Sequence, residues 1–284
     1  MRLLRNLLDD ICRAPLIDGA RGILRAEVLP IISIVTVVRN DAGRLLRTLE
    51  SVARHKSDRV EYLVVDGAST DGTLELIRSH EGLIDRWVSE QDDGIYDAMN
   101  KGTGLCRGRY LMFLNAGDEL LADVGSLAEA SPEGCVLLYG RANMLYPDGS
   151  LSYVKGKRLK TPRRFLKGMP LCHQAILYRR DVMPPYDTSF RIMSDRLLTY
   201  RLVMEFGLDS THFLEAILVN YYEDGYSNSV TPAVWHAEQN RLYRAVGKKH
   251  YVAVKTINWL FKQYVKRPIL RVTRCLDSRI DQSL

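Results

Sequence analysis

The stretch IISIVTVV at residues 31–38 is an apolar, β-branched run that ends at the polar residues Arg39, Asn40 and Asp41. Such a run is typical of a strand buried on both faces, as in a parallel sheet. Leucines at helical spacing follow over residues 43–55. EYLVVDG at 61–67 is a second buried strand, and TLELIRSH (73–80) begins a second helix. The order strand, helix, strand, helix predicts an α/β fold whose ligand lies at the carboxyl ends of the strands.

Further strands follow along the chain. RYLMFLNAGDE (109–119) is an apolar run that ends in a polar cluster, and CVLLYG (135–140) is another. Residues 141–170 are polar and basic, with Gly and Pro, and this composition favours a hairpin or a mobile loop over the site. Residues 171–230 return to mixed helix and strand, so the sequence predicts one α/β domain over residues 31–238.

The composition is that of a globular protein. Of 284 residues, 46% are hydrophobic and 26% are charged, which excludes a disordered chain, a coiled coil and a collagen-like fibre. The five cysteines are scattered without zinc-ligand or redox spacing, which predicts reduced thiols in a cytosolic compartment. No run of roughly eighteen apolar residues is present, so no membrane-spanning helix is predicted.

Both ends of the chain differ from this domain. Residues 1–30 form a short amphipathic lead that Asp9 and Asp10 make too charged for a signal peptide. Residues 239–284 are basic: from 239 to 276 there are ten Lys or Arg and no acidic residue, interleaved with aromatics. A helix over 251–267 would carry a basic face beside an apolar one, which suits the surface of an anionic membrane. The alternative is that its apolar face packs on the domain.

Acidic turns follow three of the strands. Asp66 with Asp71, Asp92 with Asp93, and Asn115 with Asp118 would meet at one sheet edge. Carboxylates that converge repel one another unless a cation lies among them, and a divalent metal on a diphosphate would supply it. The alternative is that Asp, Asn and Gly are simply turn formers.

Four segments in register carry a resemblance to a known family: ISIVTVVRNDAGRLLRTLESV, EYLVVDGASTDGTLELI, SEQDDGIYDAMNKG and GRYLMFLNAGDEL. They closely resemble glycosyltransferase family 2 over about residues 31–225. Within it they resemble the bacterial cell-surface polysaccharide enzymes, such as those of colanic-acid-type exopolysaccharide and O-antigen. The resemblance implies a single nucleotide-sugar-binding domain of the GT-A type with a mostly parallel central sheet, a divalent metal (Mg or Mn), and inversion of the anomeric centre.

The resemblance also implies which residues bind the donor. Asp66 matches an acidic residue that hydrogen-bonds the base, and Asp92 matches one near the ribose and base. The full donor set carried over is Thr36, Val38, Asn40, Asp66, Asp92, Asn100 and Lys101. Tyr96 and Met99 are predicted to be core residues instead.

The metal motif departs from the family's pattern. The segment at 115–118 reads Asn-Ala-Gly-Asp where the family usually carries Asp-X-Asp, which leaves Asp118 as the charged ligand. One carboxylate can suffice, because Mg²⁺ is held largely by phosphates and water.

An inverting transfer needs a base, and the resemblance implies Asp195 in FRIMSDRLLTYRL. The alternative is that Asp195 caps a helix. Residues 172–174 resemble the family's Cys-His-Gln turn, which implies that His173 and Gln174 lie near the acceptor, and Ser227 matches a late loop of the family that closes over the diphosphate.

The sequence therefore predicts a cytoplasmic transferase, peripheral at the inner face of the membrane, that moves a sugar from a nucleotide diphosphate to a lipid-linked glycan. Three alternatives stay open. The first is a sugar nucleotidyltransferase, for which RNDAGR is a poor signature. The second is a nucleic-acid-binding protein that uses the basic tail; the acidic strand ends would repel a polyanion, so no nucleic-acid partner is expected. The third is a transferase-like scaffold that has lost activity.

Overall fold

The computed structural model describes residues 29–225 and 230–248. The amphipathic lead, Ser227 and the helix predicted over 251–267 lie outside the described residues. In the part that is described, no helix is long and apolar enough to cross a membrane.

A single sheet organises the described chain. Its strand order is β3-β2-β1-β4-β8-β6-β9-β5, and β7 pairs with β6. The strands are β1 Ile32–Val38, β2 Val60–Asp66, β3 Arg86–Ser89, β4 Tyr110–Phe113, β5 Glu119–Leu120, β6 Leu137–Leu145, β7 Leu151–Lys155, β8 Ile176–Arg179 and β9 Thr211–Tyr222.

The first four strands of the order, β3-β2-β1-β4, are all parallel. The register aligns Val38 with Asp66 and Asp66 with Ser89, so the turns after β1, β2 and β3 share one edge. Beyond β4 the sheet is mixed: β8 is antiparallel to β4 and β6, and β6 is parallel to β9. The predicted α/β fold of the GT-A type is confirmed.

Seven α-helices connect or flank these strands in the described residues. They are α1 Ala42–Ala53, α2 Thr73–Ser79, α3 Ile95–Leu105, α4 Val124–Glu129, α5 Arg164–Lys167, α6 Ser194–Phe206 and α7 Pro232–Ala245, with 3-10 turns at His173–Ala175, Arg180–Val182 and Leu208–Ser210.

The core has a cluster on each face of the sheet. Every residue of β1 and β2 is buried, so alternate side chains enter opposite clusters. Leu45 and Leu49 of α1 pack with Ile32 on one face, and α3 and α6 pack on the other. The approach of α3 is close: a Cβ on Gly102 would lie 2.5 Å from Val35 Cγ1. Burial on both faces explains why these strands read as continuous apolar runs.

The polar segment at 141–170 forms a hairpin of β6 and β7, followed by a chain segment that ends in α5. Of the two structures predicted for this segment, a hairpin or a mobile loop, the structure shows the hairpin.

Helix α7 continues through residue 238, where the sequence analysis ended the domain. The Glu238 carboxylate accepts the backbone N–H groups of Arg191 and Ile192 at 2.6 and 2.9 Å. The buried Tyr243 donates its hydroxyl to the Leu166 carbonyl at 2.9 Å. The described start of the basic tail therefore packs on the domain.

Candidate active site

The turn Asn115-Ala116-Gly117-Asp118 lies between β4 and β5 and is held by buried hydroxyls of α1. Thr48 Oγ1 donates to the Asp118 carbonyl at 2.8 Å and accepts the Gly117 N–H at 2.9 Å. Ser51 Oγ accepts the Leu120 N–H at 3.0 Å. Gly117 has φ +101°, a conformation that side chains disfavour. The segment that departs from the family's Asp-X-Asp pattern is therefore a turn that hydrogen bonds from α1 hold in place.

The Asp118 carboxylate is buried, and each of its oxygens has a partner. Oδ1 accepts the Tyr222 N–H at 2.8 Å, and Oδ2 accepts the side-chain amide of Gln174. Gln174 also accepts the Asn115 N–H at 2.7 Å, so it clamps both ends of the turn. Burial raises the pKa of the Asp118 carboxyl to about 7, and nearby Asp224 raises it too, while the hydrogen bonds from Tyr222 and Gln174 lower it.

The residues around Asp118 fit a hard divalent cation. No group of three His, Cys, Asp or Glu that could hold a metal occurs within the described residues. However, the Asn115 Oδ1 atom of the same turn is buried without a hydrogen-bond partner. One carboxylate and one amide oxygen form an all-oxygen set of the kind Mg²⁺ accepts when phosphates and water complete its shell.

Two arginines of α1 surround this turn, and the sequence analysis missed them. Arg44 contacts the carboxylates of Asp41 at 2.7 Å and Asp224 at 3.2 Å. Arg47 donates to the Gly117 carbonyl at 3.3 Å, and its guanidinium lies 4.2 Å from the centre of the Tyr222 ring. Their spacing of three residues in the helix after β1 was the available signal, since it puts both on one face.

Asp66 and Asp92, from two of the three acidic turns, meet at the end of β2. Asp66 is fully buried and accepts the Ser69 N–H at 3.1 Å and the Ser89 hydroxyl at 2.6 Å. A Cβ on Gly67 would overlap the carboxylate of Asp92, so the glycine permits this approach. The structure therefore brings the two predicted base-side carboxylates together, with Asp66 already accepting from two serines.

The turn after β1 is joined to the turn after β2 through Asn40. Asn40 has φ +51° and accepts the Thr70 N–H at 2.8 Å, and its own N–H donates to Ser69 Oγ at 2.7 Å. Thr36 and Val38 lie inside the core, and Thr36 Oγ1 accepts the Tyr62 hydroxyl at 3.0 Å. Of these predicted donor residues, Asn40 is the exposed one.

Asn100 and Lys101 have protein partners in this structure. The Asn100 amide donates to the Tyr186 carbonyl at 3.0 Å and accepts the Tyr186 N–H at 2.8 Å. Lys101 donates to the Gln91 carbonyl at 2.6 Å and pairs with Glu90 at 2.9 Å, and this pairing raises its pKa. The two residues thus fix the segment at 186 and the acidic turn at 90–94, and a donor contact by either stays a prediction.

Asp195 lies in the first turn of α6 and does not cap it. The capping position is Met193, and no side chain makes a capping hydrogen bond there. Asp195 Oδ1 accepts the Tyr96 hydroxyl at 2.8 Å. No donor to Asp195 Oδ2 is found in the part of the chain described, and the residue is partly exposed. Tyr96 is buried, as predicted, but its contact with Asp195 has no signal in the local sequence pattern.

The turn His173–Ala175 contacts Asp118 on one side and Tyr186 on the other, and the Tyr186 ring lies 5.3 Å from that of Tyr96, the residue that donates to Asp195. Gln174 reaches Asp118, whereas the His173 ring stacks on Phe113 at 5.5 Å between ring centres and shares a 2.8 Å hydrogen bond with the Tyr186 hydroxyl. Burial lowers the pKa of His173, and the charge of Asp195 opposes this shift. His173 is therefore neutral near pH 7. A contact of His173 or Gln174 with an acceptor stays a prediction.

Comparison with known proteins shows that this chain is similar to one glycosyltransferase family. The family model described as glycosyl transferase family 2 matches residues 33–186, which is more than half of the chain. A PGL/p-HBAD biosynthesis glycosyltransferase of Mycobacterium tuberculosis is 33% identical over 214 residues, covering 71% of this chain and 80% of that protein.

Solved structures share the fold at low identity. TarS 1-349 of S. aureus in complex with UDP aligns with a TM-score of 0.57 and 17% identity, over 80% of this chain and 65% of that one. A mannosyltransferase from Pyrobaculum calidifontis in complex with GDP-Man and Mn²⁺ aligns with a TM-score of 0.50 and 16% identity, over 89% and 71%.

Proposed function

This chain belongs to glycosyl transferase family 2, and on that premise we propose that it transfers a sugar from a nucleotide-diphosphate donor to a lipid-linked glycan with inversion, in cell-surface polysaccharide synthesis. One observation carries the proposal. A series of contacts runs from the buried Asp118 through the turn His173–Ala175 and Tyr186 to Tyr96, whose hydroxyl donates to Asp195. This supports a single site that contains both a cation-side carboxylate and a candidate base.

The donor would lie along the edge at which β1, β2 and β3 end. Asp66 and Asp92 are the groups for the base and ribose, and Arg44 and Arg47 supply positive charge for the diphosphate. Asp118 and Asn115 would hold Mg²⁺ or Mn²⁺, which would neutralise the charge that develops on the departing diphosphate. A neighbour of the same fold solved with GDP-Man and Mn²⁺ supports this cofactor.

Asp195 would act as the general base. Its Oδ2 takes the proton of the acceptor hydroxyl while that oxygen attacks the anomeric carbon, and the bond to the diphosphate breaks on the opposite face. Tyr96 holds Oδ1 through its hydroxyl and so fixes which oxygen faces the acceptor. His173 would position the acceptor, and because burial lowers its pKa it would not compete with Asp195 for the proton.

We further propose that the enzyme works at the cytoplasmic face of the membrane, where a lipid-linked acceptor is met. The sequence supports this through the basic, aromatic tail, which has no acidic residue from 239 to 276.

The direct test is a panel of UDP- and GDP-linked sugars, with release of nucleoside diphosphate measured with Mn²⁺, Mg²⁺ or chelator. We expect one donor to be turned over with metal and not with chelator, and Asp118→Ala to abolish its metal-dependent binding. The fold of the variant is checked by circular dichroism. Absence of turnover for every donor would favour the inactive scaffold, and unchanged metal-dependent affinity in Asp118→Ala would remove Asp118 as a ligand.

A further inference from the structure

Residues 141–168, the hairpin of β6 and β7 with the segment after it, are strongly basic. They contain eight Lys or Arg and one acidic residue, Asp148. Leu159, Phe165 and Leu166 are buried and anchor the segment after β7 to the core. The cationic side chains before, between and after these anchors are exposed; they are Lys157, Arg158, Lys160, Arg163, Arg164 and Lys167. Residues 155–167 are named the basic edge below.

Most of this charge is not neutralised by the protein. Arg158 and Arg141 share Glu215, at 3.6 and 3.0 Å. Within residues 29–225 and 230–248, no ion pair is found for the others, which are Lys157, Lys160, Arg163, Arg164 and Lys167. The basic edge therefore presents at least five cations to whatever lies outside it.

Apolar groups lie exposed beside these cations. On the hairpin, Tyr146, Leu151, Tyr153 and Val154 are 49%, 57%, 48% and 40% exposed. Val154 also lines a groove of about 550 Å³ together with Phe213 and Ile217, and the same groove is lined by Arg141, Lys157 and Arg158. Apolar and cationic side chains thus share one surface, and contiguous exposed apolar groups with a polar rim are typical of protein or membrane interaction sites.

The hairpin also lies close to the active-site turn. Strand β7 pairs with β6, with Lys155 opposite Ala142, and β6 in turn contacts the turn His173–Ala175. Burial raises the pKa of Cys172, which precedes that turn, to about 11, and the charge of Lys155 opposes this shift. The hairpin is therefore joined through β6 to the turn that holds Asp118.

We propose that the β6–β7 hairpin and the basic edge form a docking surface for an anionic lipid bilayer. Unpaired cations attract acidic headgroups, and exposed aliphatic and aromatic side chains enter the interface. The surface is separate from the predicted tail helix. Its use in catalysis rests on the proposed lipid-linked acceptor, because docking here would bring the active-site turn to the lipid surface.

The test is partitioning of the full chain onto vesicles of phosphatidylglycerol and phosphatidylcholine. Lys157→Ser, Lys160→Ser and Arg163→Ser are combined, since among the residues that the structure describes no side-chain hydrogen bond or ion pair is found for any of them. The matched control combines Arg54→Ser, Arg78→Ser and Arg109→Ser, which remove the same charge from other exposed positions, outside both the hairpin and the basic tail. Each cation near such a surface contributes about fivefold in affinity, so the first variant loses about a hundredfold. Equal partitioning of the two variants would overturn the proposal.

A second variant separates a bilayer from other polyanions. Leu151→Ser with Tyr153→Ser keeps every charge, and we expect weaker binding to vesicles with unchanged binding to heparin. Unchanged vesicle binding would show a general anion surface and contradict the bilayer. Release of nucleoside diphosphate from the donor is measured in parallel. We expect all of these variants to retain it, so loss of docking is distinguished from failure of the proposed reaction.

Discussion

Replacing Gln174 with Leu tests whether the clamp on Asp118 serves donor binding. Gln174 is 2% exposed; it accepts the Asn115 N–H at 2.7 Å and donates to the Asp118 carboxylate. Leu has a similar size but leaves one buried N–H and one carboxylate oxygen without these partners. Each loss costs about 1–3 kcal/mol, so we expect the free energy of unfolding to fall by about 2–6 kcal/mol.

The functional effect of Gln174→Leu should exceed a general loss of stability. Removal of a residue that orients a metal ligand typically lowers metal affinity or activity by about 10–100-fold. We therefore expect metal-dependent donor affinity to fall by that factor, as measured by calorimetry with Mn²⁺, and the stability change to appear in urea unfolding.

Gln239→Leu is the matched control for this substitution. Gln239 lies in α7 and is also 2% exposed. Its side-chain carbonyl accepts a 2.8 Å hydrogen bond from Arg196 of α6. Its removal should destabilise the protein but leave donor affinity unchanged. If Gln174→Leu binds the donor as tightly as Gln239→Leu does, the clamp has no role in the donor site and the reasoning is refuted.

Two further predictions concern Asp195. Asp195→Asn should leave donor binding intact and slow transfer by about 10²–10⁴-fold, because it removes the base and keeps the shape; turnover within a few-fold of wild type would exclude this role. Tyr96→Phe should lower kcat by about tenfold with an unchanged KM for the donor, because the 2.8 Å hydrogen bond that orients Asp195 is lost. A purely structural Tyr96 would leave both constants unchanged.

The sheet could be predicted from sequence because its central strands are largely apolar. β1 and β2 are buried at every residue, and the ends of β1, β2 and β4 coincide with the polar turns that the sequence marked. The predicted start of the second helix, Thr73, is also confirmed. The local sequence pattern was sufficient for these strands, because a strand that is buried on both faces reads as a nearly continuous apolar run.

The clamp around Asp118 could not be predicted in this way. Gln174 is 56 residues from Asp118, and Tyr222 is 104 residues away. Neither contact has a local pattern, since each depends on how β8 and β9 enter the sheet. Asn100 is the opposite case. Its motif predicted a contact with a ligand, but in the structure its side-chain amide donates to the carbonyl of Tyr186, 86 residues further along the chain. Spacing identifies which segments reach the site, and tertiary packing decides which side chains stay open to a ligand.

The stereochemistry of transfer tests the central claim most directly. With the donor identified by the nucleotide-sugar panel, the anomeric configuration of the product is read by NMR and compared with that of the donor. Attack by an acceptor whose proton goes to Asp195, on the face opposite the diphosphate, predicts that an α-linked donor gives a β-linked product. An α-linked product would contradict single displacement and, with it, the role assigned to Asp195.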